Sequence, residues 1–332
     1  MPYKKIRTAL KHIGSSLYKH WSKEDLMNSK LSRGDTKILS LIALYRILTV
    51  SQLAAITQRS RQVIRRRLRF LSHENLILTR MRGYGRGSGR PEDIISITET
   101  AAELLQNEGM FSKSISLIPQ KNIDFLAVDH DLLINWFYIH LVQIEQCIPD
   151  LAIHPRSPGF LLNNTEKHYN SFKSLIRIET GNNPIEFVPD GIFTICHKGS
   201  RKSLLFFLEV DMGTEPKASL DRNPRDIRQK ILNYQTLFRT NHYKHYERIF
   251  NSKHNGFRLL FLTNTASRST ALCRLIKEMP PSDFIWLTDQ ESMFTQGVSA
   301  KIWTKGGRYD DPPESILGLK MACKAPALAL IR

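Results

Sequence analysis

The stretch SRQVIRRRLRFLSH, residues 60–73, decides how the first third of this chain folds. On a helix, Ile64, Leu68 and Leu71 fall within an arc of about 60°, a stripe suited to a core. Arg61, Gln62, Arg65, Arg66 and Arg69 spread over about 140° on the opposite side. A merely solvated face mixes both charge signs, whereas this one carries guanidinium and amide alone. Arginine forks match a guanine edge or a phosphate, and glutamine matches adenine. The pattern predicts a helix that reads DNA, against the alternative of a basic but idle surface.

The flanks supply the frame for such a helix. Upstream, a cap in Ser32–Asp35 opens a helix to about Arg46, with Ile38, Leu39, Ile42 and Leu48 at helical spacing. Ser51 is expected to cap a second, short helix ending near Ile56, and residues 57–59 form the turn. This is the helix-turn-helix order. Downstream, Leu76–Leu78 and Ile94–Ile97 read as two strands around RMRGYGRGSGRP, residues 80–91. Glycines free that loop to follow a groove, while Arg82, Arg86 and Arg90 supply charge, as in a wing. A flexible surface loop is the plainer reading. Thr98 then caps a helix to about Gln106. Residues 31–110 are thus expected to be a winged helix, preceded by a basic arm, 1–30.

Charge distribution agrees. The 332 residues carry a net charge of +17, which favours a polyanionic partner. Residues 1–110 hold 20 Lys and Arg against 9 Asp and Glu, so most of the excess lies in the first third. No apolar run approaches the ~18 residues of a bilayer span, and no apolar segment follows the basic start as in a secretory signal. Cys147, Cys196, Cys273 and Cys323 are scattered, which argues against a zinc module or a disulfide framework and fits a reducing cytoplasm.

A linker is expected at 111–125 and a second domain at 126–332. That domain reads as a helix from Asp129 to about Gln146, then strands near 174–179, 185–188, 191–196 and 203–210. A helix follows from about Asn223, with Pro224 in its first turn, to Arg239. A strand at 257–263, a helix at 267–278 and a strand at 283–288 complete it. The expected architecture is an α/β (α+β) two-domain chain. A helix, a three-stranded meander, a helix and a strand is also the core order of restriction-endonuclease-like proteins.

Two places in this domain could carry chemistry. Asp190 stands at the entry to a strand, and LLFFLEVD, residues 204–211, ends in two acids. Alternation puts Glu209 and Asp211 on one face, with Asp190 near them if the two strands pair. Three carboxylates at the end of a buried strand need neutralising. Mg²⁺ or Mn²⁺ would do this, as would Lys or Arg from a neighbouring helix; bonding to the backbone is the plain alternative. Lys230 lies at the edge of the apolar stripe Ile227, Ile231, Tyr234 and Phe238, either leaning towards the acids or snorkelling to solvent. His242 and His245 read as surface residues, and Asp131, next to His130, as a helix-start acid. No Walker loop, nucleophile elbow or dinucleotide fingerprint is present.

The segments VDHDL (128–132), VPDG (188–191) and FLEVDMGTE (207–215), then Lys230 and Tyr234, resemble the replication-relaxation family of bacterial plasmids and mobile elements. The resemblance spans most of the chain. It implies double-stranded DNA as partner, a role in plasmid replication, DNA relaxation or mobilisation beside other element-encoded proteins, and the bacterial cytoplasm. The same motifs are similar to a variant PD-(D/E)XK nuclease site. Carried over, Asp190 and Glu209 would be metal ligands and Asp211 would occupy the usual lysine position, with Lys230 as a substitute from the helix. Three functions follow: a DNA-binding replication or relaxation factor, a metal-dependent endonuclease targeted by its winged helix, or a transcriptional regulator. A homodimer on paired half-sites is compatible with each.

Overall fold

The computed structural model describes residues 31–82, 91–111, 125–156, 175–179, 184–200, 202–217, 226–280 and 283–318. The chain divides into two compact units between Phe125 and Leu126. The expected arm and nearly all of the expected linker lie outside the described residues.

In the first unit, helix α1 (Arg33–Tyr45) opens with a capping box between Ser32 and Asp35. It stops at Arg46, whose φ of 66° ends the helical path. Leu48 therefore does not extend the stripe of α1, as its spacing suggested, but forms an antiparallel bridge with Ile95. Helix α2 (Val50–Thr57) is capped by Thr49, with Gln52 completing the box. The expected cap, Ser51, instead lies in the first turn and donates its N–H and hydroxyl to Glu92, at 3.2 and 2.6 Å. Helix α3 (Arg61–His73) is capped by Ser60 and buries Ile64, Leu68 and Leu71, as the periodicity required. Strands β1 (Ile77–Arg80) and β2 (Ile94–Ile97) pair antiparallel, and α4 (Glu99–Asn107), capped by Thr98, closes the unit. Three helices, a two-stranded ribbon joined by a bridge from the α1–α2 turn, and a closing helix make a winged helix.

The second unit begins with α5 (Phe125–Cys147) and β3 (Leu151–Arg156). Strands β4 (Ile176–Ile178) and β5 (Ile185–Phe187) follow, then β6 (Gly191–His197) and β7 (Ser203–Asp211). After them come α6 (Ile227–Arg239), a short α7 (His245–Ile249), β8 (Phe257–Thr263) and α8 (Ala266–Lys277). The last elements are β9 (Ile285–Asp289), α9 (Gln290–Gln296) and β10 (Thr304–Lys305). Six strands form one mixed sheet in the order β10-β9-β8-β7-β6-β3. β7, β8 and β9 run parallel; the other neighbours are antiparallel.

This corrects the expected meander. The strands near 176 and 185 pair only with each other, and β3, which sequence does not predict, takes the place beside β6. Leu-Ala-Ile-His-Pro-Arg carries a proline, which discourages a strand assignment; at the sheet edge that proline is tolerated. Helix α6 is capped by Asp226 and starts at Ile227, and Pro224 lies outside the described residues. On one face of the sheet, Leu205, Phe207, Leu259 and Phe261 pack with Ile227, Ile231 and Tyr234 of α6 and Leu272 and Ile276 of α8. On the other, Phe193 stacks on Phe206 at 4.8 Å and meets Phe137 of α5 at 5.6 Å.

Candidate functional site

In the first unit, Gln62, Arg65, Arg66 and Arg69 are exposed on α3, while Arg61 and Arg82 are partly buried. Arg86 and Arg90, the other expected wing contacts, lie outside the described residues. Arg67, to which the periodicity assigns no role, is structural. It pairs with Asp35, whose side chain is fully buried, through Nε to Oδ1 at 2.6 Å and through Nη2 to Oδ2. Burial raises the pKa of Asp35, but Arg67 and Ser32 outweigh it and hold the carboxyl below its ordinary value. This pair fixes α3 against α1, so the exposed arginines project from a braced helix.

In the second unit, the alternation of β7 places Leu205 and Phe207 in the core and then continues it with Glu209 and Asp211, each 3 % exposed. Asp190 is locked beside them by the backbone. Its N–H donates to the carbonyl of Leu208 at 3.1 Å, and its Oδ2 accepts the N–H of Val210 at 2.8 Å. Gly191 makes this approach possible, because a Cβ there would collide with the hydroxyl of Tyr138 on α5. The same helix delivers His130, whose Nε2 lies 3.1 Å from Asp190 Oδ2, with Asp131 3.7 Å from its Nδ1. Burial works against a charge on His130, yet Asp131 and Asp190 together push its pKa up to about 10. Burial likewise opposes ionisation of Asp190, and His130 and Lys230 overcome it, so its pKa is lowered.

Glu209 is held from α6. Tyr234 donates its hydroxyl to Oε1 at 2.6 Å, and Lys230 Nζ stands 3.3 Å from Oε2. Lys230 also bridges to Glu215 at 2.8 Å. A lysine partner alone would lower the pKa of Glu209, but burial dominates and the charge of Asp190 adds to it, raising the value to about 7. Lys230 is partly buried, and the three acids around it raise its pKa in spite of that. Burial and Glu209 together raise Tyr234 well above a free phenol.

The expected set of three acids therefore divides. Asp190 and Glu209 share the electrostatic field of Lys230. Asp211 is claimed by Arg268 in the first turn of α8, through Nε to Oδ2 at 2.6 Å, while its Oδ1 accepts the Gly213 N–H at 2.8 Å. Arg268 also reaches the carbonyl of Glu215 at 2.6 Å. Among the described residues no group of three or more His, Cys, Asp or Glu is arranged to hold a metal ion. His130 and Arg268 were missed as site residues. An arginine in the first turn of a helix opposes the helix dipole, and that was the available signal for a buried acid nearby. His242 and His245 are exposed, as expected. No described helix is long and apolar enough to cross a membrane.

A family model described as Replication-relaxation matches residues 39–252. No curated protein matches the sequence. Among solved structures, Lactococcus lactis ZitR in complex with DNA is similar at 19% identity, covering 33% of this chain and 73% of that one, with a TM-score of 0.21. A mutant MarR from E. coli complexed with operator DNA is similar at 15% identity over 32% of this chain and 64% of that one, with a TM-score of 0.22. A mutant MepR from S. aureus is similar at 15% identity over 39% and 81%, with a TM-score of 0.24. The winged-helix assignment rests on the element order and strand pairing described above.

Proposed function

The chain belongs to the replication-relaxation family, and from that premise we propose that it binds double-stranded DNA through α3 and the wing. In this reading it serves replication, relaxation or mobilisation of a plasmid or other mobile element in the bacterial cytoplasm, alongside element-encoded proteins and as a dimer where half-sites are paired. One observation carries the proposal. Gln62, Arg65, Arg66 and Arg69 stand exposed on one helix face, and no ion pair engages these arginines among the described residues. The test is selection of bound duplexes from a random-sequence pool. A single enriched motif, lost in an Arg65→Ala/Arg69→Ala variant, is expected; no enrichment, or enrichment untouched by the variant, would sink the reading.

A second reading, a metal-dependent endonuclease, is favoured by Lys230. It brings a lysine to 3.3 Å from Glu209, in the field of Asp190, although Asp211 occupies the usual lysine position of the motif. The donor set fits a hard divalent cation in part. Asp190 Oδ1 takes no hydrogen bond among the described residues, and Glu209 Oε2 faces the same side as Lys230, whereas Asp211 is filled by Arg268 and Gly213. Mg²⁺ or Mn²⁺ on Asp190 and Glu209 would polarise a phosphodiester and acidify a bound water. Here Tyr234 and His130 orient the two carboxylates, and Lys230 balances their charge. Incubation with supercoiled plasmid and Mn²⁺ checks this: nicking that disappears in Asp190→Ala/Glu209→Ala supports it, and no nicking by the parent protein refutes it.

A further inference from the structure

Glycine weakens a helix, and Gly34 stands in the first turn of α1. A Cβ at that position would lie 3.1 Å from Nη1 and 3.5 Å from Nη2 of Arg59. The turn between α2 and α3, with Gln58 at a φ of 55°, thus lays the Arg59 guanidinium against the backbone of α1. Lys37 stands on the same helix, one turn further on, and is partly buried. Burial first, and the charge of Arg59 second, hold its pKa below that of an ordinary lysine.

Two cations therefore share one small surface, and among the described residues neither has an acidic partner. Asp35, the carboxylate next to them in sequence, is turned to Arg67 and Ser32. Such a pair is unfavourable in the isolated protein and becomes favourable when an anion stands between its members. Its location narrows the anion. Arg59 immediately precedes Ser60, the cap of α3, so the pair flanks the start of the helix that carries the exposed arginines.

We propose that Lys37 and Arg59 form a clamp for a backbone phosphate of duplex DNA, outside the bases that α3 reads. The proposal rests on the reading of α3 as a DNA-binding helix and adds two residues to it. Contacts to phosphate fix register and orientation, while base contacts specify sequence. Gly34, without a Cβ, lets the Arg59 guanidinium lie against α1, on which Lys37 stands one turn further on.

The test is fluorescence anisotropy of the full chain on a labelled random-sequence duplex over a salt series, with melting curves of each free variant. Lys37→Gln and Arg59→Gln should weaken binding alike on all sequences, each reducing the slope of log K against log salt by about 0.9. Free Lys37→Gln should melt no lower than the parent, because the variant relieves a like-charge contact. Unchanged salt slopes would overturn the clamp, as would weaker binding accompanied by a lower melting temperature, which marks a structural role. Arg65→Ala/Arg69→Ala separates the two failures. If that variant weakens binding and the clamp variants do not, the clamp alone fails; if the parent binds no duplex, the reading of α3 fails with it.

Discussion

The outer face of α3 and the end of β7 treat charge in opposite ways. On α3, Arg65, Arg66 and Arg69 are exposed, and none of them forms an ion pair among the described residues. At the end of β7, Glu209 and Asp211 are buried, Asp190 is partly buried, and each is matched within the fold: Asp190 by His130, Glu209 by Lys230 and Tyr234, Asp211 by Arg268. Open charge adds little to stability and remains available to an outside partner. Closed charge is tied to folding, because removing one member strands the other in a dry interior. The same residue type thus has different work in the two places. Loss of Arg65 is therefore expected to leave the fold intact, and loss of Arg268 to strand Asp211.

The sharpest way to break the comparison is Arg268→Ala. It leaves Asp211 buried and unpaired, and a loss of about 3–5 kcal/mol is expected in urea unfolding of the full chain. Arg268→Met with Asp211→Leu should recover most of that loss. Next, Arg65→Ala and Arg69→Ala should each weaken binding to a selected duplex by about 1–3 kcal/mol while leaving unfolding unchanged. A stability loss of that size in either would collapse the distinction. Glu92→Ala removes the acceptor at the first turn of α2 and should lower stability by about 1 kcal/mol in thermal unfolding.

A pH-dependent effect concerns His140, 3 % exposed between Trp136 and Phe294, with no hydrogen-bond partner for Nε2 among the described residues. Burial lowers its pKa to about 3. A histidine that is neutral when folded and protonated when unfolded contributes stability above its ordinary pKa and loses it as pH falls. Stability should therefore fall from about pH 6.5 towards pH 3, with a slope of up to about 1.4 kcal/mol per pH unit from this group. His140→Phe should flatten that part of the stability–pH curve.

The winged helix was legible almost residue by residue, because its signals are local. Ser60 and Thr98 cap where their side chains suggested, and α3 buries the stripe its spacing required. The errors there are also local: Thr49 rather than Ser51 caps α2, since Gln52 completes a box only from that position. The second unit was less legible, because partners distant in sequence decide its pairing. Nothing in Ile176–Ile178 separates a hairpin strand from a sheet strand, and Pro155 disguised β3. For the site, alternation found Glu209 and Asp211 and helical phase found Lys230. Only tertiary contact could show that Arg268 takes Asp211 out of the set and that His130 joins Asp190.

The parallel pairing of β7 with β8 joins residues about fifty positions apart, as in Leu205 with Phe257. Contacts of that span close late, because a long loop must be ordered before any pairing rewards it. The winged helix holds contacts of similar span, Leu48 with Ile95 among them, but it precedes the second unit in the chain and emerges earlier from the ribosome. A nascent chain would therefore carry the finished winged helix while the carboxylate cluster was still unassembled. Asp211 gains its arginine only after α8 has been made. The order of synthesis thus separates completion of the winged helix from completion of the acidic site.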